Sequence, residues 1–393
     1  MKRFSPIISS LLLATFLARF SVFLVMPFLS IYLMKTYHYT GFQIGLILST
    51  SGVVAIILSM TSGSVIDRFN KRHVIYFGLI IGILSYGLFP MIHTFLGFIT
   101  FSITSTIGAT LVDPTYRVLI SKFTDDHNRK FIFNIRYYLI NVAAAISPYI
   151  ASQILWIGIQ QLFYIVAAAL IFNLCLFIFI FNKYQINLKD RHDLQNVPFF
   201  NMLYIFKEDK SFLYLVLGNI FIVFGYTQMS ATLSMYLGKI YDYQTSIHYY
   251  AVLMIVNAVV VIVGQYFVYR IGEHIKTSTA IMIGAILLPL GLALFGVSNH
   301  LYALGFGMLV LTVGEMFVFT MWDIRIDELS PTALKGSYYA LTGLTGISRI
   351  IAPIFGGLLI DWTTSGLFIW GVIGLITYLS LPMFYKSKQI KPS

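Results

Sequence analysis

The sequence contains few charged residues. Lys, Arg, Asp and Glu together make up 10% of its 393 residues, whereas a typical soluble domain carries about 25%. So few charges cannot cover the surface of a water-soluble fold, and 58% of the residues are hydrophobic. The composition therefore excludes a soluble enzyme and indicates a membrane protein.

Cysteines and nucleotide-binding motifs are also scarce. Cys175 is the single cysteine of the chain, which excludes a disulfide framework and a cysteine-based metal cluster. The phosphate-binding pattern G-x-x-x-x-G-K-[ST] does not occur in the sequence, and no span combines a nucleophile with a base. We therefore expect no cofactor, no bound metal and no enzymatic activity.

Apolar runs recur along the chain, and each is long enough to cross a membrane as a helix. They fall at 8–34, 42–66, 74–92, 97–121, 131–152, 160–182, 211–238, 248–270, 277–297, 300–324, 337–360 and 366–385. The longest polar interval, 183–210, separates the first six runs from the last six. These runs predict an all-α membrane fold of twelve helices, with an N-terminal bundle at 1–182, a cytoplasmic linker at 183–210 and a C-terminal bundle at 211–393. Pro148 and Pro353 occupy similar local sequences about half a chain apart, which favours two pseudo-symmetric halves.

Basic residues are concentrated in the connections on one side of the predicted membrane. On the other side lie only Lys35 and Lys239, while five arginines fall within or at the ends of runs. The positive-inside rule therefore predicts that both termini lie in the cytoplasm. The net charge of +11 is explained by this topology and by attraction to anionic membrane lipid, so we expect no nucleic-acid partner.

The connection between the second and third runs carries a spaced motif, Gly63-Ser-Val-Ile-Asp67-Arg68-Phe-Asn70-Lys71-Arg72. Gly63 allows two helices to approach closely, and Asp67 suits a helix end that faces a positive helix N-terminus. We expect a left-handed turn at Asn70 and interfacial anchoring by Lys71 and Arg72. The motif resembles the G-x-x-x-D-R-x-G-R-[KR] signature of the major facilitator superfamily.

This resemblance covers nearly the whole chain and is closest to the twelve-helix drug/proton antiporter branch, with its MdtH-like and LmrP-like exporters. It implies the major facilitator fold, with alternating access controlled by the loop motif and an acidic residue on the fourth helix. Asp113 is the matching acid here. Arg117 lies four residues after Asp113 on the same helical face, so the two can neutralise one another or reach Lys71. We expect this pair to act in gating, with proton carriage as a weaker alternative for Asp113.

Without a nucleotide-binding loop, transport must use an ion gradient or facilitated diffusion. A proton carrier needs a group that can be neutral when buried and charged when exposed. Glu315 lies well inside the tenth run with no basic residue within one turn, and LmrP-like exporters carry a Glu in a similar setting. We expect Glu315 to couple protons, and the alternative is a structural ion pair with Arg349.

Two arginines lie within apolar runs, Arg19 in the first and Arg136 in the fifth. Buried arginines are costly unless they are paired or face water. If they line a cavity, they favour an anionic or zwitterionic substrate; alternatively, they pair with Asp113 or Glu315. The candidate substrate-binding residues are Arg19, Met26, Arg136, Tyr137, Asn141, Tyr226, Gln228 and Glu315.

Together these features predict a proton-coupled exporter of amphipathic small molecules, of the multidrug-efflux type. The first alternative is a dedicated exporter of an anionic metabolite, such as a carboxylate siderophore or metallophore. The second is proton-coupled nutrient uptake. We expect a monomer in the cell membrane whose partners are a small-molecule substrate, protons and membrane lipid.

Overall fold

The computed structural model describes residues 5–184, 203–331 and 334–390, while the side chains at 59–68 and at a few scattered helical positions lie outside the description. All regular secondary structure in these ranges is helical. The α-helices are α1 (Pro6–Thr36), α2 (Gly41–Arg68), α3 (Lys71–Leu88), α4 (Phe95–Lys122), α5 (Asp126–Ile154), α6 (Ile159–Lys183), α7 (Ile205–Glu208), α8 (Lys210–Ser230), α9 (Thr232–Ile240), α10 (Tyr243–His274), α11 (Thr277–Leu294), α12 (Leu301–Leu329), α13 (Lys335–Thr342), α14 (Ile347–Trp362), α15 (Gly366–Tyr378) and α16 (Ser380–Gln389).

Within these ranges, 11 helical segments are long and apolar enough to cross a membrane. Three of the segments combine neighbouring helices: α8 with α9, α13 with α14, and α15 with α16. The remaining predicted run, 131–152, corresponds to α5, which has 29 residues. Polar residues such as Arg136 and Asn141 make this helix less apolar than the other helices of 18 or more residues. The all-α membrane fold is therefore confirmed.

One compact unit contains Met1–Leu29 and Ile57–Leu194. In this unit α3 packs against both α4 and α6. Aromatic side chains fill the end of α3 that is remote from the loop motif: the rings of Phe89 and Phe163 stack with centroids 3.4 Å apart, and Phe101 packs edge-on against both. This packing fixes α4, which carries Asp113, against its neighbours.

The second compact unit contains Ser30–Ile56 and Gln195–Ser393. Here α12 packs against α10 and α11, and α8 packs against α14 and α16. Asp209 fixes the start of α8, because its carboxylate accepts hydrogen bonds from the Phe212 amide at 2.8 Å and from the Tyr338 hydroxyl at 2.9 Å. The buried Asp209 side chain thus connects α8 to α13.

The second unit includes the end of α1 and the first part of α2, which precede the predicted linker by more than 100 positions. Residues 185–202 of that linker lie outside the described residues. The two six-helix halves joined at 183–210 therefore stay a prediction.

The first part of α2 lies directly against α14. The Asp361 carboxylate accepts hydrogen bonds from the Gly41 amide at 2.6 Å and the Phe42 amide at 2.8 Å. The Ser49 hydroxyl donates to the Ile350 carbonyl at 2.6 Å. Gly357 faces the backbone of Gly41 with no room for a side chain between them. A carboxylate at the positive N-terminus of a helix is favourable, so Asp361 holds the start of α2 on α14.

Candidate functional site

Three arginine side chains, from three helices of the first unit, meet around the carboxylate of Asp113. Asp113 on α4 bonds through Oδ1 to Nη2 of Arg136 on α5 at 2.7 Å. Its Oδ2 forms an ion pair with Nη2 of Arg19 on α1 at 3.1 Å and accepts a hydrogen bond from Nη2 of Arg117 at 2.6 Å. We refer to Asp113, Arg19, Arg117 and Arg136 as the Asp113 cluster. Three guanidinium groups and one carboxylate give this cluster a formal charge of +2.

The members of the Asp113 cluster differ in exposure. The side chains of Arg136 and Asp113 are 9% and 16% exposed, whereas those of Arg19 and Arg117 are 33% and 54% exposed. Nε of Arg136 is buried and has no hydrogen-bond partner among the described residues. Since each helix rises about 1.5 Å per residue, Asp113, Arg136 and Arg19 lie roughly 13–20 Å from the helix end nearest the loop motif, and Arg117 lies about 8 Å from it. The centre of the cluster therefore lies at membrane depth, and its arginines retain N–H donors that are not used in hydrogen bonds to the described residues.

One expectation about the loop motif is wrong. Asn70 has φ −62° and ψ 119°, so it is extended rather than left-handed, and its side chain accepts from the Arg72 amide as the N-cap of α3. Lys71 is the first residue of α3 and its side chain is buried; its position at the membrane interface stays a prediction. The cap sets the helical phase of α3, which turns Lys71 inward and brings Nη2 of Arg72 to within 2.5 Å of Asn182 Oδ1 on α6.

Asp113 contacts arginines rather than Lys71, the partner considered from the sequence. The side chains of Gly63, Asp67 and Arg68 lie outside the described residues. A gating role for the motif therefore stays a prediction.

Glu315 lies at the midpoint of α12, 14 residues from Leu301 and 14 from Leu329. Nδ2 of Asn257 on α10 donates to its Oε2 at 3.0 Å and to Thr312 Oγ1 at 2.9 Å. Tyr226 on α8 is a neighbour of the Glu315 carboxylate. The ion pair between Glu315 and Arg349 is not formed. Half-buried Glu315 thus accepts a hydrogen bond from the neutral Asn257 amide, and among the described residues no basic side chain pairs with it.

Sequence reasoning did not find Asn257 and Thr312. The signal for Asn257 was an amide in the middle of the apolar run 248–270, which also contains the amide of Gln265. Whether the Asn257 amide faces lipid, neighbouring apolar side chains or a carboxylate depends on the rotation of α10 about its axis. The apolar run alone does not specify this rotation.

The other candidate substrate residues are dispersed. Gln228 is fully buried and accepts a hydrogen bond from Thr232 beyond the break between α8 and α9. The Asn141 amide donates to the Tyr137 carbonyl on its own helix at 3.0 Å, and the Tyr137 side chain is exposed. Met26 is half-buried on α1. Within their units, Tyr226 therefore lies beside Glu315, and Arg19 and Arg136 both contact Asp113. Substrate contact stays a prediction for all of the candidate residues.

Comparison with known proteins gives the family. Residues 11–348 match the Major Facilitator Superfamily. The MFS-type transporter YqjV of Bacillus subtilis (strain 168) is 24% identical over 99% of this chain and 96% of its own. A Na(+), Li(+), K(+)/H(+) antiporter of Planococcus maritimus is 21% identical over 96% of both chains. Multidrug resistance protein 2 of B. subtilis (strain 168) is 22% identical over 95% of this chain and 94% of its own.

Comparison with solved structures finds the same fold in a known transporter. The crystal structure of the nucleoside transporter NupG, as a D323A mutant, aligns with a TM-score of 0.83 over 97% of this chain and 99% of that one, at 13% identity. At that identity the likeness concerns the fold alone. With the family match over most of the chain, this multi-pass membrane protein belongs to the major facilitator superfamily of transporters.

Proposed function

We propose that this transporter exports amphipathic small molecules in exchange for protons, with Glu315 as the proton-responsive group. The observation that carries the proposal is the surroundings of Glu315. The carboxylate lies at the centre of an apolar helix, about 21 Å from either end. Asn257 donates a hydrogen bond to it, and Tyr226 is its neighbour.

Neutral partners allow the charge of Glu315 to change. An arginine at ion-pair distance would hold a buried carboxylate in its charged form, whereas burial without a counter-charge favours the neutral form. Asn257 and Tyr226 orient the group and can stabilise it when water enters. A carboxylate of this kind can take up a proton on one side of the membrane and release it on the other.

The comparisons support exchange and efflux as the mode of transport. One relative is an antiporter for monovalent cations and protons, and another is a multidrug resistance protein. We further propose a monomer in the cell membrane, with both termini in the cytoplasm and two six-helix bundles joined at 183–210. In this proposal the loop motif from Gly63 to Arg72 controls the conformational equilibrium.

A dedicated exporter of an anionic metabolite, such as a carboxylate siderophore or metallophore, is the second candidate. The observation that favours it is the excess positive charge of the Asp113 cluster. Both candidates use the same coupling group, so the test of Glu315 applies to either.

The test uses purified protein in proteoliposomes with an acidic lumen. An antiporter accumulates cargo in that lumen whichever way it is inserted, so the accumulation of the dyes rhodamine 123 and carboxyfluorescein is measured against protein-free vesicles. We expect wild-type protein to accumulate at least one dye, and Glu315→Gln to abolish the response to the pH gradient. The matched control is Asp327→Asn, which makes the same chemical change at the exposed end of α12 and should retain the response.

Two results would overturn the proposal. One is pH-driven accumulation by Glu315→Gln with an unchanged pH profile. The other is wild-type accumulation that follows a sodium or potassium gradient but not a proton gradient.

A further inference from the structure

We infer that the Asp113 cluster binds an anionic group of the cargo, a carboxylate, phosphate or sulfonate, and that Asp113 occupies this position until the cargo displaces it. The inference rests on the proposed transport function and adds the charge of the cargo. It concerns residues of the first unit only, whereas Glu315 belongs to the second unit.

The charge balance of the Asp113 cluster is the first argument. A structural ion pair at membrane depth needs one arginine for one aspartate, but Asp113 faces three guanidinium groups. Arginine stays charged in proteins, and excess charge in a membrane is costly unless it serves a polar ligand or pathway. Among the described side chains of this unit, the other acid is Asp125, just before α5 and 11 residues before Arg136. That spacing corresponds to about 16 Å along a helix, so among the described carboxylates only Asp113 lies next to Arg136.

Unused donors are the second argument. A guanidinium group offers five N–H donors in a planar fork, which suits bidentate contact with a carboxylate or phosphate. Arg136 is nine-tenths buried and uses Nη2 on Asp113, while its buried Nε is unpartnered within the described residues. Arg19 also makes one ion-pair contact, at 3.1 Å, and is a third exposed. These two arginines therefore retain donors that an incoming anion can use.

The geometry of Asp113 is the third argument. Its two oxygens contact guanidinium groups from α1, α4 and α5, as the carboxylate of a bound ligand would. Arg117 lies on the same helix and directs both Nε and Nη2 to Oδ2, at 3.2 and 2.6 Å. When a cargo anion takes Arg136 and Arg19, Asp113 can keep Arg117 as its partner. Displacement therefore leaves no unpaired carboxylate.

The test measures dye binding to the full chain in phosphatidylcholine nanodiscs by fluorescence anisotropy. Carboxyfluorescein and rhodamine 123 share a xanthene ring system but carry opposite charge. We expect carboxyfluorescein to bind more tightly than rhodamine 123. Arg19→Gln and Arg136→Gln should each weaken carboxyfluorescein binding roughly 10- to 100-fold, the effect of one lost charge-assisted hydrogen bond.

Asp113→Asn distinguishes a displaceable carboxylate from a purely structural one. Removing its charge frees Arg136 and Arg19, so carboxyfluorescein should bind more tightly, by about tenfold or less. This gain in affinity should not exceed the loss of affinity in either arginine variant. The matched control is Arg325→Gln, which removes the arginine of another ion pair, Arg325 with Glu328 on α12, and should leave binding unchanged. If Asp113→Asn does not yield folded protein, the two arginine variants decide the question.

The inference is overturned if dye binding does not depend on charge, or if both arginine variants bind carboxyfluorescein as the wild type does. A lipid headgroup could supply the same anion chemistry, so a second arm adds phosphatidylglycerol to the nanodiscs. If phosphatidylglycerol displaces carboxyfluorescein completely at membrane concentrations, the cluster is a lipid site and the cargo assignment fails. If the protein binds carboxyfluorescein in preference to rhodamine 123 but its transport does not respond to a pH gradient, the proposed function is refuted. This inference would still hold.

Discussion

Gly357→Ala is predicted to weaken the contact between α14 and the first part of α2. A Cβ atom at this position would lie 2.5 Å from the Gly41 carbonyl carbon and 3.0 Å from the Phe42 nitrogen. Because these atoms belong to the backbone, no side-chain rotation can relieve the overlap and the helices must separate. Separation would also lengthen the hydrogen bonds from the Gly41 and Phe42 amides to Asp361.

The magnitude follows from two opposing effects. Alanine is favoured over glycine in a helix by about 1 kcal/mol, whereas overpacking costs about 1–3 kcal/mol. The lost Asp361 cap adds about 1 kcal/mol to the cost. Gly357→Ala should therefore be destabilising by roughly 1–3 kcal/mol, which lowers the melting temperature by a few degrees.

The matched control is Gly371→Ala on α15, where an added Cβ would meet no atom within 4 Å. This variant keeps the helix-propensity gain without the overlap, so its melting temperature should rise or stay unchanged. The assay is thermal unfolding of the purified protein in detergent, with hydrogen exchange of the amides at 41–52 as the local readout. An equal rise in melting temperature for Gly357→Ala and Gly371→Ala would refute the close approach of α2 and α14.

Two further predictions concern capping carboxylates. Asp361→Ala removes the acceptor for the Gly41 and Phe42 amides, so hydrogen exchange at the start of α2 should accelerate about 5- to 30-fold, corresponding to 1–2 kcal/mol; unchanged exchange there would contradict the cap. Asp209→Ala leaves the Phe212 amide and the Tyr338 hydroxyl without their acceptor, so it should cost about 2–4 kcal/mol in thermal unfolding. Tyr338→Phe removes one of these two bonds and should cost less than Asp209→Ala; the reverse order would count against this connection between α8 and α13.

The described contacts place two different charge arrangements in the two compact units. The Asp113 cluster is a crowded set of fixed charges, whereas Glu315 is a single carboxylate beside the neutral side chains of Asn257 and Tyr226. Fixed guanidinium charge suits the recognition of an anion, because arginine does not lose its proton. A carboxylate without a counter-charge suits proton exchange. The proposed division of roles follows from this difference.

Several features were predictable from the sequence because they depend on neighbouring residues. The low charge and the apolar runs determined a helical membrane protein, since a span of about 20 apolar residues is a local property. The loop motif from Gly63 to Arg72 indicated the major facilitator superfamily, which the family match confirms. The position of Glu315 deep inside an apolar run was also readable directly. The polar residues Arg136 and Asn141 weakened the span signal of α5, but the run 131–152 was still recognisable in the sequence.

Only the tertiary structure decided which distant residues meet. Arg19 and Arg136 are separated from Asp113 by 94 and 23 positions, and their convergence depends on how α1, α4 and α5 are rotated about their axes. The same is true of Asn257 beside Glu315 and of Asp361 at the start of α2, 320 positions from Gly41. Hydrophobic runs fix the length of a helix but only weakly its rotation when every face is apolar. The sequence by itself therefore determined the spans and the family, and helix packing determined the partner of each charge.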